Sequence, residues 1–136
     1  MTIAEVVESL KVLGVEKPFR VIRDDADERE KWLVRVRKPA HLVEGRLCGT
    51  EILIVPESKS FRVWTSQKQL VRALAGEHGL KAELLDGEAV LWVPASLADV
   101  VLPRFGAKVR RIVSDAQKAI LAAGRSHSPI YKTSQG

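Results

Sequence analysis

Residues 51–65 read EILIVPESKSFRVWT. Two runs rich in β-branched and aromatic residues flank PESKS, a loop of Pro, Ser and charges, which predicts a β-hairpin. In the second run alternation puts Phe61 and Val63 on one face, with Arg62 and Trp64 on the other. Such a strand belongs to a sheet with one covered face and one open face. Residues 31–38, KWLVRVRK, behave alike: Trp32, Val34 and Val36 alternate with Leu33, Arg35 and Arg37. Downstream, KAELL (81–85) and EAVLWV (88–93) are joined by Asp86-Gly87, a two-residue turn signal. Phe19–Arg23 is a further short extended run.

Helices are marked by their ends. Thr2 and Glu5 form a capping box ahead of Val6, Val7, Leu10 and Leu13, closed by Gly14. Ser66 and Gln69 form a second box before Leu70, Val71 and Leu74, and Gly79 suits the residue just past that helix. Ser96 and Asp99 open a short helix that Pro103 should stop. A fourth helix is expected over 106–123, with Val109, Ile112, Val113, Ala116 and Ile120 on one stripe. The fold class is therefore α+β: an antiparallel or mixed sheet of four to six strands, covered by about four helices, and not an OB-fold. Residues 1–124 read as one domain. Residues 125–136 read as a mobile polar tail, and 24–30, DDADERE, as a charged loop.

The chain has 136 residues, of which 46% are hydrophobic and 29% charged, so it has the composition of a globular protein. No apolar run approaches the length of a bilayer span, and no secretory signal is evident at the start, which points to the cytoplasm. Asn is absent, and Cys and Met occur once each among many Arg, Lys and Glu, a thermophile-like composition. The single Cys48 excludes an internal disulfide. Cys48, His41, His78 and His127 show no metal-ligand spacing, so neither a metal nor another cofactor is expected.

The formal charge is +5, unevenly placed. Residues 31–72 carry nine basic and three acidic groups, and residues 104–136 carry seven and one. Residues 1–30 and 73–103 are net acidic. Two basic blocks suit a polyanionic partner, although solvated faces would look the same. The open strand face offers Arg35, Arg37, Arg62 and Trp64, with Lys38 and Lys59 beside them. Arginines neutralise phosphates, and a Trp ring stacks a base, which is what single strands require. Trp32 and Trp92 read as core residues, and Trp64 stands open between core and contact. Arg104, Lys108 and Arg111 form a second basic group, with Lys108 and Arg111 on the expected last helix and Arg104 flanking it.

The order of these elements, with KWLVRVRK, EILIV, KSFRVWT and SQKQLVRALAGEHG, resembles the ThermoDBP-like single-stranded DNA-binding proteins of hyperthermophilic archaea. The resemblance covers about residues 2–123. It implies an oligomeric binder outside the OB-fold class that holds single strands in a cleft of basic and apolar side chains. The last segment lacks the sustained leucine heptads of the founding type, so the likeness is to the related subgroup without the long zipper.

The expected function is sequence-tolerant binding of single-stranded DNA, without catalysis, by a homodimer or homotetramer. Three other readings fit the residues. An RNA-binding module would use the same charges and rings. A metal-dependent nuclease would use Glu57 and Lys59, the E-x-K of EILIVPESK. A protein-interaction adaptor would carry its basic patches for solubility.

Overall fold

The computed structural model describes residues 2–24 and 31–110. In chain order the elements are α1 (Ile3–Val12), β1 (Val21–Asp24), β2 (Lys31–Val34), β3 (His41–Val43), β4 (Arg46–Cys48), β5 (Thr50–Val55), β6 (Ser60–Thr65), α2 (Lys68–His78), β7 (Ala82–Leu85), β8 (Glu88–Pro94) and α3 (Ala98–Val101). The architecture is α+β. Six strands form one sheet in the order β1-β2-β5-β6-β8-β7, every neighbouring pair antiparallel, and β3 and β4 form a separate hairpin. Among the described residues no helix is long and apolar enough to cross a membrane.

The alternation read from the sequence sets the two faces. Val34, Ile52, Val63 and Leu91 lie opposite one another across four strands, and all are buried. Ile54, Phe61 and Val93 form the next buried row. Val6 and Leu10 of α1, Val71 and Leu74 of α2, and Ala98 and Val101 of α3 close over this side in one core. Burying a large apolar side chain contributes about 1.5–3 kcal/mol, so this one-sided core is the main source of stability. Thr50 and Thr65 are the polar exceptions: their hydroxyl oxygens share a hydrogen bond of 2.8 Å. A paired hydroxyl avoids the cost of unsatisfied burial.

The α1 capping box forms as expected. The Glu5 N–H donates to the Thr2 hydroxyl at 3.2 Å, and the Thr2 N–H donates to the Glu5 carboxylate at 2.9 Å. The Thr2 N–H above all, and the Thr2 hydroxyl beside it, hold the Glu5 carboxyl below its ordinary pKa. Its contribution is therefore present above the usual Glu range and lost as pH falls through the lowered value. The second box does not form: Gln67 is the N-cap of α2 without a side-chain cap bond, and the Thr65 hydroxyl instead accepts from the Gln67 N–H at 3.1 Å. Gly79 ends α2 in the left-handed conformation, as expected.

Two further expectations differ from the structure. Residues 106–110 are not helical. Gly106 has φ 85°, and Ala107 and Val109 make antiparallel bridges to Val36 and Phe19. The expected last helix beyond them, with Arg111, lies outside the described residues, as do the tail and all but Asp24 of the charged loop. The third α-helix ends at Val101, just ahead of Pro103 as expected, and Pro103 sits in the 3-10 turn Leu102–Phe105 that follows. Asp99 does not cap its own helix but accepts the Glu16 and Lys17 N–H groups at 2.9 and 2.8 Å, tying the loop after α1 to α3. The β3–β4 hairpin is an addition. It turns on Glu44-Gly45, both at positive φ, a pair weaker as a turn signal than Asn-Gly or Asp-Gly.

Candidate nucleic-acid interface

The uncovered face of the sheet is organised in rows. Leu33, Leu53, Arg62 and Trp92 lie opposite one another across four strands, and Glu51, Trp64, Val90 and Glu83 form the neighbouring row. Arg62 is exposed, and Trp64 and Trp92 are half-buried. Trp92 is opposite Arg62, and Trp64 is its diagonal neighbour, about 7–8 Å away at the Cα level. Trp92 therefore belongs to the open face, against the expectation that it is core. The signal was present: Ala89, Leu91 and Val93 point inward, so Val90 and Trp92 must point outward. The Lys81 ammonium lies 5.0 Å from the Trp92 ring centroid, which steadies the ring and places a cation beside it. Trp32 is buried, as expected.

The face is apolar and aromatic more than it is basic. Across its two central rows Arg62 and Lys81 are offset by Glu51 and Glu83. The uncompensated charge lies at the end of the sheet where β5 begins and β6 ends. There a groove of about 950 Å³ is lined by Arg37, Lys38, His41 and Arg104, together with Cys48 and Gln67, and no Asp or Glu lines it. A recess of about 470 Å³ shares Arg37 and adds Arg20 and Lys108, again with no acidic lining. None of these arginines and lysines forms an ion pair with a carboxylate among the described residues.

The structure thus divides the residues selected from the sequence. Arg37, Lys38 and Arg104 meet in the groove, and Lys108 lies in the adjoining recess. Lys108 arrives there on an extended segment: its N–H donates to the Arg35 carbonyl at 2.8 Å. Arg35 borders a third recess with Glu51, which shares Pro39, Ala40 and Thr50 with the groove. Trp64 stands two residues before Ser66, a groove residue, so an aromatic side chain and the cationic groove share this end of β6. Lys59 occupies the opposite end of β6, in the left-handed turn of the β5–β6 hairpin at φ 53°. Five residues of extended chain put it about 17 Å from Trp64. Arg20, Lys81 and Trp92 were not selected from the sequence. Arg20 belongs to the net-acidic first block and reaches the recess only because Phe19 pairs with Val109.

Gly49 shapes the groove. It has φ 87°, and a Cβ there would lie 2.6 Å from the Lys38 carbonyl oxygen and closer still to that of Pro39. Only glycine lets residues 38–40 pack against the β4–β5 junction, where the Thr50 N–H donates to the Lys38 carbonyl at 2.9 Å. Gly49→Ala is expected to cost roughly 2–4 kcal/mol, combining left-handed strain with backbone overlap. Gly87→Ala, also at positive φ but with open space around it, is the control and costs about 1 kcal/mol. Urea denaturation of the two variants checks the difference.

The described residues contain no group of three His, Cys, Asp or Glu side chains arranged to hold a metal. Glu57 lies in the 3-10 turn Pro56–Ser58, beside Lys59. No family model, curated protein or solved structure matches the chain. The likeness to the ThermoDBP-like proteins therefore rests on element order alone, and the functional reading rests on the groove and the open face themselves.

Proposed function

We propose that this protein binds single-stranded DNA with little regard to sequence, and does so without catalysing a reaction on it. The observation that carries the reading is the uncompensated cationic groove of Arg37, Lys38 and Arg104, adjoining the strand end that bears Trp64. Phosphates would follow the groove and the recess beside it, held by Arg37, Lys38, Arg104, Lys108 and Arg20. Bases would turn onto the sheet and stack on Trp64 and Trp92, with Arg62 and Arg35 between phosphate and ring. The mode is that of an open sheet, not of an OB-fold barrel, and it does not call on Lys59. The ThermoDBP-like resemblance agrees with this reading in substrate and in the pairing of basic with apolar side chains.

Titration of labelled single-stranded and duplex oligonucleotides of equal length tests it. Single strands should bind more tightly, since a base in a duplex cannot reach an aromatic platform. Equal or tighter duplex binding at matched salt would overturn the proposal. RNA binding is the alternative that charge and stacking equally support, and competition between matched DNA and RNA strands decides it. Two substitutions separate the roles within the site. Arg62→Ala should weaken binding and flatten the salt dependence by less than the roughly 0.7 in log–log slope of one full phosphate contact, since Glu51 offsets part of its charge. Trp64→Ala should weaken binding by roughly 1–3 kcal/mol and leave the slope unchanged, because stacking releases no counterion. A folded Trp64→Ala protein that binds like the parent would remove Trp64 from the site.

A further inference from the structure

The two edges of the six-stranded sheet differ. Near β1, residues 106–110 tie the chain down: the Arg20 N–H donates to the Lys108 carbonyl at 2.8 Å, and the Arg110 N–H to the Pro18 carbonyl at 2.7 Å. At the other edge β7 is exposed at all four residues, with Leu84 at 41% and Leu85 at 38%. The Trp92 N–H donates to the Lys81 carbonyl at 3.0 Å, so Lys81, and by alternation Glu83, direct their backbone groups at β8. Those of Ala82 and Leu84 point outward. A bare strand of this kind is a template for another strand.

We infer that β7 pairs antiparallel with β7 of a second copy, Ala82 opposite Ala82, joining two six-stranded sheets into one. The sequence around β7, LKAEL (80–84), is self-complementary in this register. Lys81 faces Glu83 of the partner subunit, and Glu83 faces the partner's Lys81, two reciprocal ion pairs on the open face. Leu80 meets Leu84 on the core side, twice. The outward N–H and C=O of Ala82 exchange two hydrogen bonds, and the Leu84 N–H reaches the Leu80 carbonyl across the axis. The Leu80 N–H is already used, donating to the Ala75 carbonyl at 2.9 Å, so the register asks only for its carbonyl. Shifting either strand by two residues to centre the axis on Glu83 would set two like charges directly opposite, which is destabilising. Glu83 has no ion-pair partner among the described residues, consistent with a partner supplied by another chain.

A two-fold axis perpendicular to the sheet keeps each face on its own side. The open faces of the two copies therefore run together, with Trp92 and Lys81 of each copy near the seam. This pairing stands on the edge geometry alone, so it can hold or fail independently of nucleic-acid binding.

Light scattering on the full chain at sub-millimolar concentration, without nucleic acid, is the test. The parent should reach twice its 15.1 kDa mass. Lys81→Glu and Glu83→Lys should each remain at the single-chain mass, because each sets like charges in opposition twice. The double exchange, Lys81→Glu with Glu83→Lys, should restore the dimer. Ala82→Pro should also be monomeric yet folded by circular dichroism, since it removes an N–H that points away from β8. A monomeric parent overturns the inference. So does a dimer that survives the single reversals or a folded Ala82→Pro variant, or a double exchange that fails to reassociate.

Discussion

Affinity for a single-stranded oligonucleotide should fall on the order of a hundredfold between about 50 and 200 mM salt. The figure follows from the cations without acidic neighbours around the groove. Arg37, Lys38, Arg104, Lys108 and Arg20 supply about five phosphate contacts, and each contributes about −0.7 to the log–log slope for a single strand, giving roughly −3 to −4. The open face contributes less, since its Arg62 and Lys81 are offset by Glu51 and Glu83. Arg37→Ala with Arg104→Ala should therefore reduce the slope by about 1.4, more than any pair of substitutions on the sheet face. Lys59→Ala should leave it unchanged. Fluorescence anisotropy at four or more salt concentrations measures all three. A slope near zero for the parent would remove the groove from the function, and an effect of Lys59→Ala equal to that of Arg37→Ala would move the phosphate path to the hairpin end.

The second large effect separates Trp32 from Trp92. Trp32→Ala should lower stability by about 3–5 kcal/mol, because the ring is 6% exposed and packs in the core beneath β2. For a domain of this size that is a large part of the total stability. Trp92→Ala should cost much less stability, since its ring lies half-buried on the uncovered face, and should instead cost affinity, by roughly 1–3 kcal/mol. Chemical denaturation and oligonucleotide titration on the same two variants give the contrast. If Trp92→Ala loses stability as Trp32→Ala does and the folded fraction binds normally, the open face is not a stacking surface.

Much of this arrangement was legible in residues 31–38, 51–65 and 81–93, where strict alternation under a one-sided core leaves little freedom of register. Trp92 was misassigned because its type outweighed its place in that alternation. What could not be read was how chain-distant pieces meet. Lys108 looks like part of a helix face in the sequence, with Arg104 flanking it, since 106–123 carries a helical apolar period. Positive φ at Gly106 and the bridges from Ala107 and Val109 to Val36 and Phe19 override that period locally. The groove exists only after this pairing, so its membership was hidden while its charges were visible. The hairpin of β3 and β4 was missed because its segment lacks alternation: Leu47 is buried, whereas Leu42 and Val43 are exposed at 65% and 48%.

The bridge between Phe19 and Val109 also bears on how the chain reaches this state. With the Asp99 bonds to Glu16 and Lys17, it ties the first helical segment to residues made some eighty positions later. Loops of that span must close before their contacts repay the lost entropy, a topology that folds slowly. During synthesis the central hairpin of β5 and β6 can form early, whereas the ties from Glu16, Lys17 and Phe19 to Asp99 and Val109 can form only when those late residues have been made. Until then the basic groove, which takes Arg104, Phe105 and Gly106 from the same late segment, has not yet been assembled.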